Sequence, residues 1–410
     1  MIFFCLLVAV MPLLRHSLWG AFIGDLTINK YLGVVCLGYA GLYLMTRNRP
    51  VAFLRSSQSR WFVAFSVLAM LSFLFKGPNT PLAVSPFMNY LSFLLLFVTA
   101  MIVVDSVDRL RWVALSAIAG LAFASLHLLR EWQKAGMTAG YRPGWVTGDP
   151  NYFSLSAIIV LPLAYFMLRR KGPRWERLFC QISLALGLVA FVLAASRGGL
   201  VALVVMGAFV IWHSKRRARN FAAAAAVLAL VGVLAPSSPV TRLLEPARAD
   251  EGSTNTRLAL MRAGVRIFMD NPWMGIGVGN FKQGVSQYGG PEQALKNVAH
   301  NTYVEVAAEL GLAGSVAFLA TFYWSIRGAA DVRRRAMLTR QRSLYLIALG
   351  LQTGLIGAVV GVFFLSALHV RLLWFAVILS ICLPPLLRRV PRRLPEHPTI
   401  SPMGPLEAQR

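Results

Sequence analysis

Three basic side chains are the residues of this sequence that could best take part in a chemical reaction. Arg197 lies in a Ser-Arg-Gly-Gly motif between two apolar runs, Arg257 lies near the end of a long polar segment, and His300 opens a later apolar run. Arginine binds phosphate through a planar, bidentate fork. A histidine beside such arginines can take the proton of a hydroxyl group. Together these residue types indicate attack of an alcohol on a group that is activated by phosphate.

The position of His300 favours the neutral imidazole that a general base requires. A helix N-terminus disfavours a cation, and His300 stands where a helix is predicted to begin. Glu305 and Glu309 follow within the first turns, where they could either stabilise the imidazolium or orient the ring. Taken singly, such a histidine is more often inert, just as a lone arginine at a helix end is more often a snorkelling residue.

The polar segments around these residues contain further candidates. Asp149-Pro150-Asn151 is typical of a turn and helix cap, and Arg142 and Trp145 lie just before it as candidates for headgroup or sugar contact. No H-E-x-x-H or D-x-D motif is found, so no metal site is predicted.

Residues 257–281 combine two patterns. The first part has the apolar spacing of an amphipathic helix that lies on the membrane. Arg257, Arg262 and Arg266 need not all face one way on it, and headgroup contact is the simplest role for any one of them. The second part runs from Asp270 through a G-x-G-x-G sequence. Because this glycine run lacks a strand–helix frame, we interpret it as a compact turn and not as a nucleotide fingerprint. In the motif at Arg197, by contrast, the two glycines are expected to make the chain reverse sharply.

The composition defines the scaffold that must position these residues. The 410 residues are 57% hydrophobic and only 14% charged, yet the formal net charge is +25. A soluble protein would carry about 25% charged residues, a disordered chain would be less apolar, and a nucleic-acid binder would not combine this charge with this hydrophobicity. The sequence therefore predicts an all-α, polytopic membrane protein.

Apolar runs between charge clusters predict about twelve transmembrane helices. Basic clusters follow spans two, six, eight, ten and twelve, so the positive-inside rule places both termini in the cytoplasm. The four cysteines lie in apolar runs and are read as core or lipid-facing residues, and the first residues are read as a retained span. The predicted spans lie near 1–24, 28–46, 61–75, 86–104, 110–129, 152–168, 178–195, 200–213, 221–235, 300–324, 344–366 and 370–387.

This topology gives one transmembrane domain over residues 1–388. Two substantial loops lie on the external side, the first at 130–151 and a large one at 236–299 between spans nine and ten. A polar cytoplasmic tail at 389–410 is predicted to be disordered. Arg142, Arg197, Arg257 and His300 all fall on the external side, in a topology that was derived without them.

In these motifs and this topology the chain resembles the O-antigen ligase/polymerase superfamily of bacterial inner-membrane proteins. The resemblance covers about residues 141–320, and its strongest signal is His300-Asn301, then nine residues, then G-x-x-G. The other similar motifs are Asp149-Pro150-Asn151, Ser196-Arg197-Gly198, and Thr256-Arg257 with Asp270-Asn271-Pro272 and the glycine run.

The resemblance implies a GT-C-like glycosyltransferase that works in the periplasm without metal, nucleotide or other cofactor. Its donor would be a glycan on undecaprenyl pyrophosphate, and its acceptor in a ligase would be a sugar hydroxyl of lipid A-core. Arg197 and Arg257 would bind the pyrophosphate, His300 would activate the acceptor, and the anomeric centre would invert. Supporting roles would fall to Arg142, Asp149, Asn301, Arg266 and Glu305. Membrane lipids are the other expected partners, and nucleic acid is not one.

The sequence leaves alternatives open. A polymerase that lengthens the same lipid-linked glycan and a protein O-oligosaccharyltransferase share much of this pattern. A transporter is less favoured, because the predicted mid-span regions are almost free of charge and the ionisable residues gather at one interface. A structural scaffold would explain the topology but not the convergence of the motifs.

Overall fold

The computed structural model describes residues 1–13, 28–46, 51–76, 81–137, 141–144, 149–213, 217–218, 222, 251–288 and 299–387. Over these residues the protein is 81% helical and has no strand, which confirms the all-α prediction. The helices are α1 (Ile2–Val10), α2 (Ile28–Met45), α3 (Ser57–Lys76), α4 (Pro81–Val103), α5 (Val107–Lys134), α6 (Pro150–Met167), α7 (Arg174–Leu193), α8 (Arg197–Trp212), α9 (Glu251–Asp270), α10 (Phe281–Gln287), α11 (Thr302–Leu338), α12 (Arg342–Gly361) and α13 (Arg371–Ile381).

Among the described segments, seven helices are long and apolar enough to cross a membrane, and three shorter apolar helices accompany them. The chain is therefore a multi-pass membrane protein, whereas the count of twelve spans stays a prediction. The ninth predicted span at 221–235, apart from residue 222, lies outside the described residues, as do most of the second half of the first span, Trp145 and the tail at 389–410.

The tenth predicted span differs most from the structure. Helix α11 has 37 residues and continues through Arg327 and Arg335, which the sequence had placed in a loop after residue 324. It is interrupted only at Gly311, whose backbone angles (φ 62°, ψ −158°) are not helical. One bent helix therefore reaches from the polar site at one end of the bundle to the basic cluster at the other.

An aromatic cluster fills the centre of the bundle. Trp374 of α13 is fully buried, and its ring stacks on Phe65 of α3 at 5.1 Å between centroids. The rings of Phe93 and Phe318 pack around it, and its indole N–H donates to the carbonyl of Leu368 at 2.7 Å. Because the one polar atom of the tryptophan is satisfied, the ring contributes its full apolar area to the core.

At the predicted cytoplasmic end, a buried carboxylate ties two helices together. Glu176 in the first turn of α7 pairs with Arg111 of α5 and with Arg170, which follows α6. The Trp112 and Trp175 rings stack beside this triad at 6.0 Å. Basic residues at this end therefore help to hold the scaffold together.

Candidate functional site

The loops that precede α6 and α8 meet in a hydrogen-bonded network. The Arg142 guanidinium donates to the carbonyl of Ala194 at 3.1 Å and to the Asn151 side-chain oxygen at 3.2 Å. The Ser196 hydroxyl donates to the same Asn151 oxygen at 2.8 Å. Asp149 caps α6, because its carboxylate accepts from the Asn151 N–H at 2.6 Å, as its motif predicts. Arg142 therefore joins two loops of the site.

The reversal before α8 differs from the sequence prediction. Ala195 takes the left-handed conformation (φ 47°), and Ser196 caps the helix by accepting from the Gly199 N–H at 3.1 Å. The two glycines lie within the first helical turn, so the expectation that they make the reversal was wrong. They are needed for close packing instead: a Cβ on Gly198 would lie 2.3 Å from Phe364.

Arg197 begins α8 directly beside this network and is half-buried. Next to it, the structure contains a recess of about 10 Å³, which is near the space that one water molecule needs. The recess is lined by Asn151, Leu155, Ile158, Ser196, Gly199, Gly361, Phe364 and Leu365.

His300 stands directly before the cap of α11. Its backbone is left-handed (φ 50°), and Asn301 begins the helix by accepting from the N–H groups of Tyr303 and Val304. The side chain of Thr302 then anchors this helix start to the chain after α12, where it accepts from the Ala367 N–H at 2.9 Å. The position of His300 is therefore fixed by its neighbours on both helices.

The electrostatics of His300 link three of the predicted residues. Burial lowers the pKa of His300, the positive charge of Arg257 lowers it further, and the negative charge of Asp149 opposes both. The sequence had attributed a neutral His300 to the helix N-terminus, whereas burial is the main cause here. The Nδ1 atom is buried and makes no hydrogen bond within the described part of the chain.

Helix α9 confirms a helix in this segment, with Leu260, Ala263 and Ile267 on its buried face, whereas its position on the membrane surface stays a prediction. The helix separates the predicted arginines. At 100° per residue, Arg266 lies about 180° around the helix from Arg257, and Arg262 lies about 140° away. Arg257 is half-buried on the side that acts on His300, whereas Arg262 and Arg266 are exposed. Arg266 is thus directed away from the other predicted site residues.

The glycine run after α9 forms the compact turn that the sequence predicted. Gly275, Gly277 and Gly279 all have positive φ. The turn docks on the break in α11 by exchanging backbone hydrogen bonds with it. The N–H groups of residues 276 and 277 donate to the carbonyls of Ala308 and Glu309 at 3.0 and 2.9 Å, and those of residues 312 and 313 donate to the carbonyls of residues 272 and 273.

Glu305 and Glu309 lie buried in the first turns of α11, where the sequence places them. Glu305 interacts with Lys282 and lies beside Ser366, so its neighbours differ from those of His300. The buried hydroxyl of Tyr90 interacts electrostatically with both carboxylates. The sequence could have indicated Lys282, because it is a charged residue just after the glycine run. Tyr90 and Ser366 lie in apolar runs, where nothing in the sequence distinguishes them.

The structure therefore brings together His300, Arg257 and Asp149 through their charges, and Asp149, Asn151, Arg142 and Ser196 through hydrogen bonds. Arg197 adjoins Ser196, and Asn301 sets the start of the helix behind His300. Over the described residues, no group of three or more His, Cys, Asp or Glu side chains could hold a metal ion.

Membrane-length helices with a cluster of arginine, histidine and carboxamide side chains at one end define a multi-pass membrane protein with a polar site at the end of its bundle. Residues 182–319 match the family model described as O-Antigen ligase, so this part of the chain is similar to that family. The match includes Arg197, Arg257 and His300 and ends before α12. No curated protein matches the chain. The match supports a glycosyltransferase role of the ligase or polymerase type.

Proposed function

We propose that the protein transfers a glycan from undecaprenyl pyrophosphate to a hydroxyl acceptor on the periplasmic side of the bacterial inner membrane, with both of its termini in the cytoplasm. The observation that carries the proposal is the electrostatic effect of Arg257 on His300, whose pKa it lowers although the two residues belong to different elements, α9 and the chain before α11. Attack of an alcohol on a phosphate-activated sugar requires a base for the alcohol and a cation that binds the phosphate. The two must lie close enough to act on one substrate.

His300 acts as the general base. Its lowered pKa keeps the imidazole neutral at the pH of the periplasm, so that it can accept the acceptor's hydroxyl proton. As this proton leaves, the acceptor oxygen bonds to the anomeric carbon and the bond from that carbon to the phosphate oxygen breaks. A single displacement of this kind inverts the anomeric centre. The charge of Asp149 stabilises the imidazolium that results.

Arg197 and Arg257 bind the pyrophosphate and stabilise the charge that grows on it as it departs. Arg197 opens α8 next to the hydrogen-bonded network, and Arg257 lies on the inner side of α9. Arg142 has a supporting role, because its guanidinium holds the loops before α6 and α8. Asn301 supports the base by fixing the first turn of α11.

The test uses purified protein in lipid nanodiscs with a lipid-pyrophosphate glycan donor. We expect His300→Ala to reduce transfer by at least about a hundredfold while donor binding is retained, since general-base catalysis contributes about 10²–10⁴-fold. Arg197→Ala and Arg257→Ala should weaken donor binding.

Two exposed residues provide matched controls. His213 ends α8 at the opposite side of the bundle, and Arg262 lies on the outer side of α9. His213→Ala and Arg262→Ala should bind donor and transfer glycan as the parent does. Normal transfer by His300→Ala would exclude the histidine as the base, and unchanged donor affinity in both arginine variants would remove them from the donor site.

The acceptor decides between a ligase, a polymerase and a protein glycosyltransferase. Lipid A-core, lipid-linked glycan alone and a hydroxyl-bearing peptide can each be supplied with the same donor, and the products sized. We expect a single addition to lipid A-core. A ladder that forms without lipid A-core would identify a polymerase, and flux of solute in proteoliposomes that survives His300→Ala would instead identify a transporter.

A further inference from the structure

Glu309 is the buried side chain whose presence is hardest to explain by packing alone. It is only 2% exposed and lies in a helix of membrane-spanning length. A buried carboxylate in such a setting costs several kcal/mol unless it is bonded, and it therefore points to a function.

Its carboxylate bonds to the segment that follows the glycine turn. One oxygen accepts from the Phe281 N–H, the first of α10, at 3.1 Å, and the Gly279 backbone also interacts with it. The carbonyl of the same residue accepts from the Gly277 N–H at 2.9 Å. Glu309 thus holds the turn through its side chain and its main chain at once.

The turn fits against Glu309 with no space to spare. A Cβ on Gly275 would lie 2.3 Å from the carbonyl carbon of Glu309. On the far side, the N–H of Val278 donates to the Ser72 hydroxyl of α3 at 3.1 Å. The turn is therefore clamped between two membrane-length helices.

The segment that Glu309 holds also packs on α9. Phe281, whose N–H bonds to the Glu309 carboxylate, lies in one buried cluster with Leu260, Ala263 and Ile267 of α9. Arg257 lies 13 residues before the end of that helix at Asp270, which is about 20 Å at 1.5 Å per residue. A tilt of about 10° at the turn would therefore move Arg257 by about 3 Å. A misplacement of about 1 Å in a catalytic constellation can cost about a hundredfold in rate.

We infer that Glu309 is a positioning residue for donor binding: its carboxylate holds the glycine turn on the break in α11 and thereby sets Arg257 opposite His300. This inference rests on the proposed function. The competing role for Glu309 is proton transfer, in which it would exchange a proton with its neighbours Glu305 and Tyr90.

Glu309→Gln and Glu309→Ala separate these roles. A glutamine oxygen can still accept from the Phe281 N–H, so we expect Glu309→Gln to retain donor KM and kcat. Glu309→Ala should raise donor KM by about tenfold or more. Because Arg257 then moves away from His300, the acid limb of kcat/KM should shift to higher pH, as it does in Arg257→Ala. If Glu309→Gln impaired donor KM and kcat as much as Glu309→Ala does, the positioning role would be overturned in favour of proton transfer.

Gly275→Ala disrupts the contact between the turn and Glu309 from the side of the turn, and it should reproduce the effects of Glu309→Ala. The matched control is Thr321→Val, which removes a buried hydroxyl further along α11 that bonds only within its own helix. In an Arg257→Ala background, Glu309→Ala should have no additional effect on donor KM. Fully additive losses would contradict the inference.

A measurement without substrate keeps this inference separate from the proposed function. Spin labels at Arg262 and Leu319, both exposed, report the direction of α9 relative to α11. Their distance distribution should broaden in Glu309→Ala and stay narrow in Glu309→Gln. An unchanged distribution in Glu309→Ala overturns the inference, whereas normal donor binding by Arg257→Ala would overturn the proposed function alone.

Discussion

At the scale of single residues, His300 shows how position and charge can select a base. The chain buries the imidazole, places Arg257 within electrostatic reach of it, and sets Asp149 against both. The first two favour the form that accepts a proton, and the third favours the form that has accepted it. In the proposed transfer, Arg257 therefore favours the neutral imidazole before the proton arrives, and Asp149 favours the imidazolium afterwards.

This balance predicts opposite pH shifts in two variants. Because the pKa of His300 is lowered, the acid limb of kcat/KM should have its midpoint below the ordinary histidine value of about 6.5. Activity is then lost as the pH falls through that midpoint and the base becomes protonated. Arg257→Ala should move the midpoint to higher pH and Asp149→Asn to lower pH, as measured from full pH–rate profiles. Shifts in the same direction would contradict the assigned neighbours.

The roles of the site residues could be predicted from the sequence to different degrees. Asp149 could be predicted as a cap because its role depends on residues within two positions of it. Ala195 could not be predicted, since nothing local marks an alanine for a left-handed backbone and the adjacent glycines attract that interpretation. Glu305 and Glu309 were visible in the sequence, but their interactions with Tyr90 and Lys282 depend on the tertiary fold, since neither partner is a neighbour in the chain.

At the scale of elements, the break in α11 is the central feature of the site. The helix gives up hydrogen bonds at Gly311 and recovers them from the turn after α9, so that neither segment leaves its backbone groups unpaired. Each segment is therefore complete only in the presence of the other.

Gly311→Ala tests this dependence. The φ and ψ of Gly311 are strained for any other residue, and a Cβ there would lie 2.5 Å from the Trp273 carbonyl carbon. We expect a loss of about 2–4 kcal/mol in stability, seen as a lower Tm, together with loss of transfer. Gly207→Ala in α8 is the control: its Cβ meets nothing within 4 Å, so helix propensity should stabilise it by about 0.5–1 kcal/mol. Equal Tm values for the two variants would refute the argument.

The elements were predicted better where hydrophobicity decides than where tertiary bonding does. The amphipathic α9 and the compact turn were both predicted, because apolar spacing and glycine content are local. The length of α11 was not, since its arginines were read as the end of a span although the helix continues beyond the apolar segment. Hydropathy reports the part of a helix that lies in lipid, and not its full extent.

At the scale of the whole molecule, the two ends of the bundle use charged residues in different ways. One end carries the Glu176 triad and the arginines late in α11, and the other carries the candidate site. In the predicted topology most of the net positive charge lies in cytoplasmic loops, whereas the proposed chemistry depends on a small number of cations at the opposite end.

This division predicts the sidedness of labelling. In a variant without Cys5, Cys36, Cys180 and Cys382, single cysteines can be placed at the exposed positions of Arg262 and Arg334. In intact cells with a permeabilised outer membrane, an impermeant maleimide should label Arg262→Cys and leave Arg334→Cys unlabelled until the inner membrane is opened. The reverse pattern would place the candidate site in the cytoplasm and refute the proposed donor side.

Backbone hydrogen bonds make most of the contact between the glycine turn and α11, and the Glu309 carboxylate adds its bond to the Phe281 N–H. Trp273 and Met274 sit within the turn with their side chains largely exposed. These two positions can therefore carry a fluorophore or a crosslinker without disturbing the contact between the turn and α11. They offer a place to observe donor arrival at the site in real time, a few residues from the clamp that Glu309 provides.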